Sequence, residues 1–218
     1  GLNAELVEEE INLQEAGPEI TQIVRAIQDE VERLKVITEG YLQYARLPQP
    51  EMVSSQLAPM IRELLSFLRT ELGQAGIEWN ADHLDESCIA SVDRAQIRQA
   101  LMNIIRNGIE AAQASSEERQ LTVKLFLSDE ENVTLEVTDS GEGIAPKILG
   151  RIFEPFVTGK AQGTGLGLAL SHEIVAGHGG RISVESPVLH GANGPYGSTF
   201  RIELPRQKIA GAVVDVGH

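Results

Sequence analysis

Only one cysteine, Cys88, occurs in the 218 residues. That excludes an internal disulfide and a cysteine-based metal cluster, and it suits a reducing compartment, so a cytoplasmic location is expected. Basic residues are also short: 18 Lys and Arg stand against 32 Asp and Glu, a formal net charge of −14. With no basic stripe, nucleic acid and anionic lipid are poor candidates as partners. No apolar run approaches the ~20 residues of a membrane helix, so no membrane contact is expected of these residues. Histidine is absent before His83, and glycine and proline are nearly absent before residue 40, where only Gly1, Gly17 and Pro18 occur. What is present is an ordinary globular composition, 42% hydrophobic and 23% charged. It is enough for one substantial core or two small ones. An acidic protein of this kind could bind a polyphosphate only through a special local device.

The acidic surplus is concentrated at the start, where residues 1–47 carry ten acidic and four basic side chains. Gly17-Pro18 is a strong helix breaker, so two helices are expected around it. The second runs from about Ile20 to Ala45. Its residues Ile20, Val24, Ile27, Val31, Leu34, Thr38, Tyr41 and Ala45 form a seam of alternating four- and three-residue steps, with Arg25, Asp29, Glu32 and Lys35 outward. The shorter segment Leu2 to Leu13 would pair with it as a hairpin. A hairpin so thin leaves apolar surface uncovered, and pairing two of them in a four-helix bundle predicts a homodimer.

Leu47-Pro48-Gln49-Pro50 reads as a stiff linker and the domain boundary. Beyond it, Ser55 to Leu72 reads as an amphipathic helix closed by Gly73. Short strands are expected at Ile77–Ala81 and Cys88–Val92, and Asp93 can cap the helix carrying Ile97, Leu101, Ile104 and Ile105. Leu121–Leu127 and Val133–Val137 alternate as a hairpin. A helix after Gly165 and strands at Ile182–Val184 and Thr199–Leu204 complete an α+β, two-layer sandwich of helices over one mixed sheet.

Three features carry chemistry. Asp139-Ser140-Gly141-Glu142-Gly143-Ile144 follows a strand. A carboxylate there can accept a hydrogen bond from an exocyclic amine, and the glycines let backbone approach a flat base. Alone, Asp-x-Gly-x-Gly describes a tight turn equally well. Gly163-Thr164-Gly165-Leu166-Gly167-Leu168 opens a helix, where successive N–H groups can converge on an anion without any basic residue. A plain helix cap is the alternative, and the segment is neither a Walker A loop nor a dinucleotide fingerprint. Asn103 and Asn107 lie four apart on one helix face. Amide oxygens suit Mg²⁺, although both could equally be solvent-facing.

Taken together, the segments resemble the boxes of histidine-kinase catalytic domains in the GHKL ATPase superfamily, in family order. Leu101–Ala112 resembles the N box and Asp139–Gly143 the G1 box. Ile152-Phe153-Glu154-Pro155-Phe156 resembles the F box and Gly163–Leu168 the G2 box. Gly197-Ser198-Thr199-Phe200 resembles the late strand motif closing the adenine pocket. The resemblance covers residues ~52–205 and implies ATP and Mg²⁺ as ligands. It implies that Asp139 binds the adenine amino group, with Gly143 and Thr199 beside the base. Asn107 would be the metal ligand and Asn103 a polar neighbour of metal and phosphates. Gly163, Gly165 and Gly167, with Leu166 and Leu168, would shape the lid, and Lys160 would contact phosphate. His178-Gly179-Gly180 would be structural. The short lid Val157–Gln162 resembles that of nitrogen-regulatory sensor kinases.

Residues 20–47 resemble the second helix of the dimerisation and phosphoacceptor hairpin. None of the five histidines, His83, His172, His178, His190 and His218, stands in a phosphoacceptor context. The chain is therefore expected to be a piece beginning just past that motif; the alternative is a protein that natively lacks it. The expected layout is a partial hairpin (1–47), linker (48–51), ATP-binding domain (52–206) and tail (207–218). The implied function is the ATP-binding core of a sensor histidine kinase, with a response-regulator receiver domain as partner and no catalytic residue assigned within these 218. Two other readings remain. One is a GHKL ATPase driving conformational closure, a class that carries a catalytic Glu where Asn103 stands. The other is a dimerisation module with a vestigial pocket.

Overall fold

A computed structural model describes residues 18–114, 119–160, 163–187 and 197–207. The expected first helix (Leu2 to Leu13), His190, His218, and residues 208–218 of the tail lie outside them.

Helix α1 (Pro18–Ala45) is a single run of 28 residues. Its seam is exposed at Ile20, Ile27, Val31, Leu34 and Tyr41. Near its end Tyr44, and just past it Leu47, pack against the core. The segment after it is pinned, because the Gln96 side chain donates to the Pro48 carbonyl at 2.9 Å.

Strand β1 (Val53–Gln56) and helix α2 (Leu57–Gln74) follow. The helix expected from Ser55 thus begins two residues later. Ser54-Ser55-Gln56 has no apolar side chain to hold a helical face, and it pairs antiparallel with β3 (Ile89–Val92) instead. Gly73 is inside α2 rather than its stop; the chain reverses at Gly76, which has φ +65°. Helix α3 (Arg94–Ala114) is capped as expected, with Asp93 Oδ1 accepting the N–H groups of Ala95 and Gln96 at 3.0 and 3.1 Å. Strands β2 (Glu78–Leu84), β4 (Gln120–Leu127), β5 (Asn132–Asp139), β6 (Arg181–Glu185) and β7 (Thr199–Pro205) form a five-stranded sheet ordered β2-β4-β5-β7-β6. β2 runs parallel to β4, and the other neighbours are antiparallel. The short helix α4 (Pro146–Leu149) and helix α5 (Gly167–Gly177) complete the elements. The β1–β3 ribbon is a second small sheet, where one mixed sheet was expected.

Alternation along β4 and β5 explains the layering. Leu121, Val123, Leu125, Val133, Leu135 and Val137 are buried beneath α2, α3 and α5, which contribute Leu65, Leu68, Leu101, Ile105 and Ile174. Each such side chain contributes roughly 1.5–3 kcal/mol on burial, so the core needs no metal or disulfide to hold it. The opposite sheet face carries a charge ladder in which Arg201 pairs with Glu136 at 2.8 Å and Glu185 at 3.0 Å. His178 is buried and structural, as the resemblance implied. Its Nδ1–H donates to the Ile174 carbonyl at 2.7 Å, and its Nε2 accepts the Asp93 N–H at 2.9 Å.

Candidate functional site

Helix α3 organises the site, because residues four apart on it meet three different segments on successive turns. Asn103 Nδ2 donates to the Gly167 carbonyl at 3.1 Å and to Ser171 Oγ at 3.4 Å, which fixes the start of α5. One turn on, Asn107 Oδ1 accepts from Lys160 Nζ at 3.0 Å, which reaches in from the segment after the F box. One turn further, Ala111 lies against Gly141, where an added Cβ would come within 2.7 Å of the Ala111 Cβ. Glycine at 141 is required for that approach.

Asp139 closes β5 and is 4% exposed. Its Oδ1 accepts the Gly141 N–H at 2.8 Å and the Ser198 N–H at 3.3 Å. A carboxylate is an acceptor-only group with about four lone-pair sites, the type of group an exocyclic amine can donate to. The turn beyond it is tied by the Ile144 N–H, which donates to Ser186 Oγ at 2.7 Å. Gly143 adopts φ +79° within that turn.

Thr199 is the residue expected beside the base. Its hydroxyl bonds that of Thr138 at 2.9 Å, on the sheet face opposite the Asp139 side chain, since Thr138 and Thr199 are register partners. Ser198 is the residue that stands against the carboxylate. The signal that could have found it is the strand period: Asp139 and Val137 face the helices, so Thr138 and its partner face away.

The glycine-rich segment closes the other side. Gly165 has φ +68°, and a Cβ there would meet the Phe156 carbonyl carbon at 2.5 Å. Its carbonyl accepts the Phe156 N–H at 3.0 Å, so F box and G2 box interlock through backbone. Phe156 itself has φ +66°, and its ring stacks on Tyr41 of α1 with centroids 6.3 Å apart. Leu166 is buried, and Gly163, Thr164 and Leu168 are half-buried. Helix α5 starts at Gly167, so the unshared N–H groups of its first turn form an anion-binding end. Lys160 does not point at that end; its ammonium is bridged between Asn107 and Glu110. Of the expected lid, Ala161 and Gln162 lie outside the described residues.

Glu110, Ser171 and Ser198 were not read from the sequence. Glu110 lies three residues past Asn107 on α3, a spacing that alone places the two together. An amide oxygen and a carboxylate holding one ammonium form a donor set that fits a cation. Among the described residues no cluster of three or more His, Cys, Asp and Glu could hold a metal alone, so phosphate oxygens would have to share it.

Residues 92–208 match the family described as histidine kinase-, DNA gyrase B-, and HSP90-like ATPase. The chain is 33% identical over 181 residues to sporulation kinase A of Bacillus subtilis (strain 168), covering 82% of this chain and 28% of that protein. It therefore spans less than a third of that relative. The nucleotide-free catalytic domain of histidine kinase ThkA superposes with a TM-score of 0.61 at 30% identity, covering 72% of this chain and 96% of that one. Histidine kinase ThkA in complex with the response regulator protein TrrA gives a TM-score of 0.69 at 25% identity, over 94% of this chain and 57% of that one.

Proposed function

Because the chain belongs to the histidine kinase-, DNA gyrase B- and HSP90-like ATPase family and has the ATP-binding core of a sensor histidine kinase, we propose that it binds Mg·ATP and presents the γ-phosphate to a histidine. The observation that carries this reading is the convergence on α3: Asn103, Asn107 and Ala111 each meet a different segment of the site. Asp139 accepts the adenine amino group, with Gly141, Gly143 and Ile144 shaping the base-side turn. Ser198 orients the carboxylate through its N–H. The first-turn amides of α5 and the Gly163–Gly167 backbone receive the phosphates, and Asn107 supplies an amide oxygen to the metal. When bound, Mg²⁺ neutralises phosphate charge, the principal demand of phosphoryl transfer.

Asn103 argues against a hydrolase. Its amide nitrogen donates to Gly167 and Ser171, and an amide cannot act as general base toward water. The acceptor histidine is taken to lie outside these residues, because none of the five histidines stands in a phosphoacceptor context. His178 is buried with both ring nitrogens engaged, while His172 sits beside Glu173 and Phe153. This chain alone is thus expected not to phosphorylate itself. The exposed seam of α1 supports a homodimer, and the ThkA complex supports a receiver domain as the next recipient. No helix among the described residues is long and apolar enough to cross a membrane.

Calorimetry with Mg·ADP tests the reading. Asp139→Asn keeps the oxygen that accepts from Gly141 and Ser198 but replaces the other with a donor facing the adenine amine. Affinity should fall by about tenfold or more with the melting temperature little changed. Absence of wild-type binding at millimolar Mg·ADP would leave the vestigial-pocket reading instead.

A further inference from the structure

Lys160 is set in a place where the proposed function puts a different cation. Its ammonium contacts the Asn107 amide oxygen at 3.0 Å and the Glu110 carboxylate. Asn107 is the residue that would ligate the metal. Glu110, one turn along the same face of α3, has no role in the nucleotide reading above. An ammonium and a divalent ion compete for hard oxygen donors, and a carboxylate close to incoming phosphates repels them unless a cation intervenes.

We propose that Lys160 and Glu110 are a cation-exchange pair: the lysine ammonium keeps the place of the divalent ion on Asn107 and Glu110 until metal-loaded nucleotide displaces it onto the phosphates. Glu110 is a positioning residue in this scheme. It draws Lys160 away from the phosphate-binding end of α5 while the nucleotide is absent, and it makes metal-free nucleotide a poor ligand. The pair makes the site selective for the metal complex, and it ties the segment after Phe156 to α3. No bond is made or broken; one cation replaces another on the same oxygens. The inference rests on the nucleotide reading, and the test separates the two.

Both side chains are largely exposed, at 45% and 57%, so Lys160→Met and Glu110→Gln should fold normally. A fluorescent ATP analogue is titrated onto wild type and both variants, once with excess MgCl2 and once with EDTA; the quantity read is the ratio of the two affinities. In Glu110→Gln the freed lysine meets metal-free phosphates without a competing carboxylate, so metal-free affinity rises and the ratio falls about three- to tenfold. In Lys160→Met metal-free affinity drops while the oxygens stand open to the metal, so the ratio rises by a similar factor. Opposite movements of the ratio support the exchange. Movement in the same direction, as for an ion pair that merely braces the loop, or no movement in either variant, overturns it. If wild type binds the analogue in neither buffer, the nucleotide reading itself fails and the exchange falls with it.

Discussion

Asp93 joins three parts of the chain through one residue. Its Oδ1 caps α3, its Oδ2 accepts the Glu51 N–H at 3.1 Å, and its own N–H donates to His178. Burial works against the ionised carboxylate, but the N–H groups of Gln96, Glu51 and Ala95 outweigh it and hold the group below its ordinary value. A carboxylate depressed in this way contributes stability that is present above its unfolded pKa and lost as pH falls through the folded one. Asp93→Ala should therefore cost about 1 kcal/mol at neutral pH. The gap to wild type should narrow once the pH drops below about 4, as read by urea unfolding at each pH. Cys88 is the opposite case: burial, with Asp85 nearby, pushes its thiol up to about 11. It is a core side chain and takes no part in the site.

Among the elements, the loops that interlock by backbone are the least tolerant of change. Gly165→Ala would force an L side chain into φ +68° and drive its Cβ into the Phe156 carbonyl carbon. A loss of about 1–3 kcal/mol in thermal unfolding is expected, together with weaker nucleotide binding. Glycine spacing made these loops legible in the sequence, since only glycine lets two backbones come so close. The cap at Asp93 and the alternation of β4 and β5 were legible for equally local reasons. β1 was not, because Ser54-Ser55-Gln56 has no pattern of its own and takes its conformation from pairing with β3. Nor was the stop of α2, where Gly73 and Gly76 look alike until the backbone shows which is left-handed. Glu110 escaped notice because its meaning comes from Lys160, 50 positions later. Ser198 escaped notice because family order gives position, whereas strand period gives the face.

At the scale of the whole molecule, the charge balance and the site are consistent. A net charge of −14 rules out a basic binding surface, yet the anion-receiving groups described here are backbone amides and one lysine, which add almost nothing to that total. The exposed seam of α1 makes a separate demand. Ile27 and Val31 are 56% and 46% exposed in the single chain, more apolar surface than an isolated helix ordinarily leaves in water. Sedimentation should find wild type as a dimer and the Ile27→Asp variant as a monomer that still binds nucleotide.

Helix α1 spans about 42 Å at 1.5 Å per residue. Two sides of this one rod are spoken for. The seam from Ile20 to Tyr41 faces out, while Gly40 lies close to Leu166 and Tyr44 meets the core. Both sides share a single angular coordinate. Twisting the rod to tighten one contact necessarily turns the other, and Tyr41, between them, carries that angle to Phe156. Any rotation of the helix about its axis would therefore be felt at Phe156 through Tyr41, without passing through the sheet.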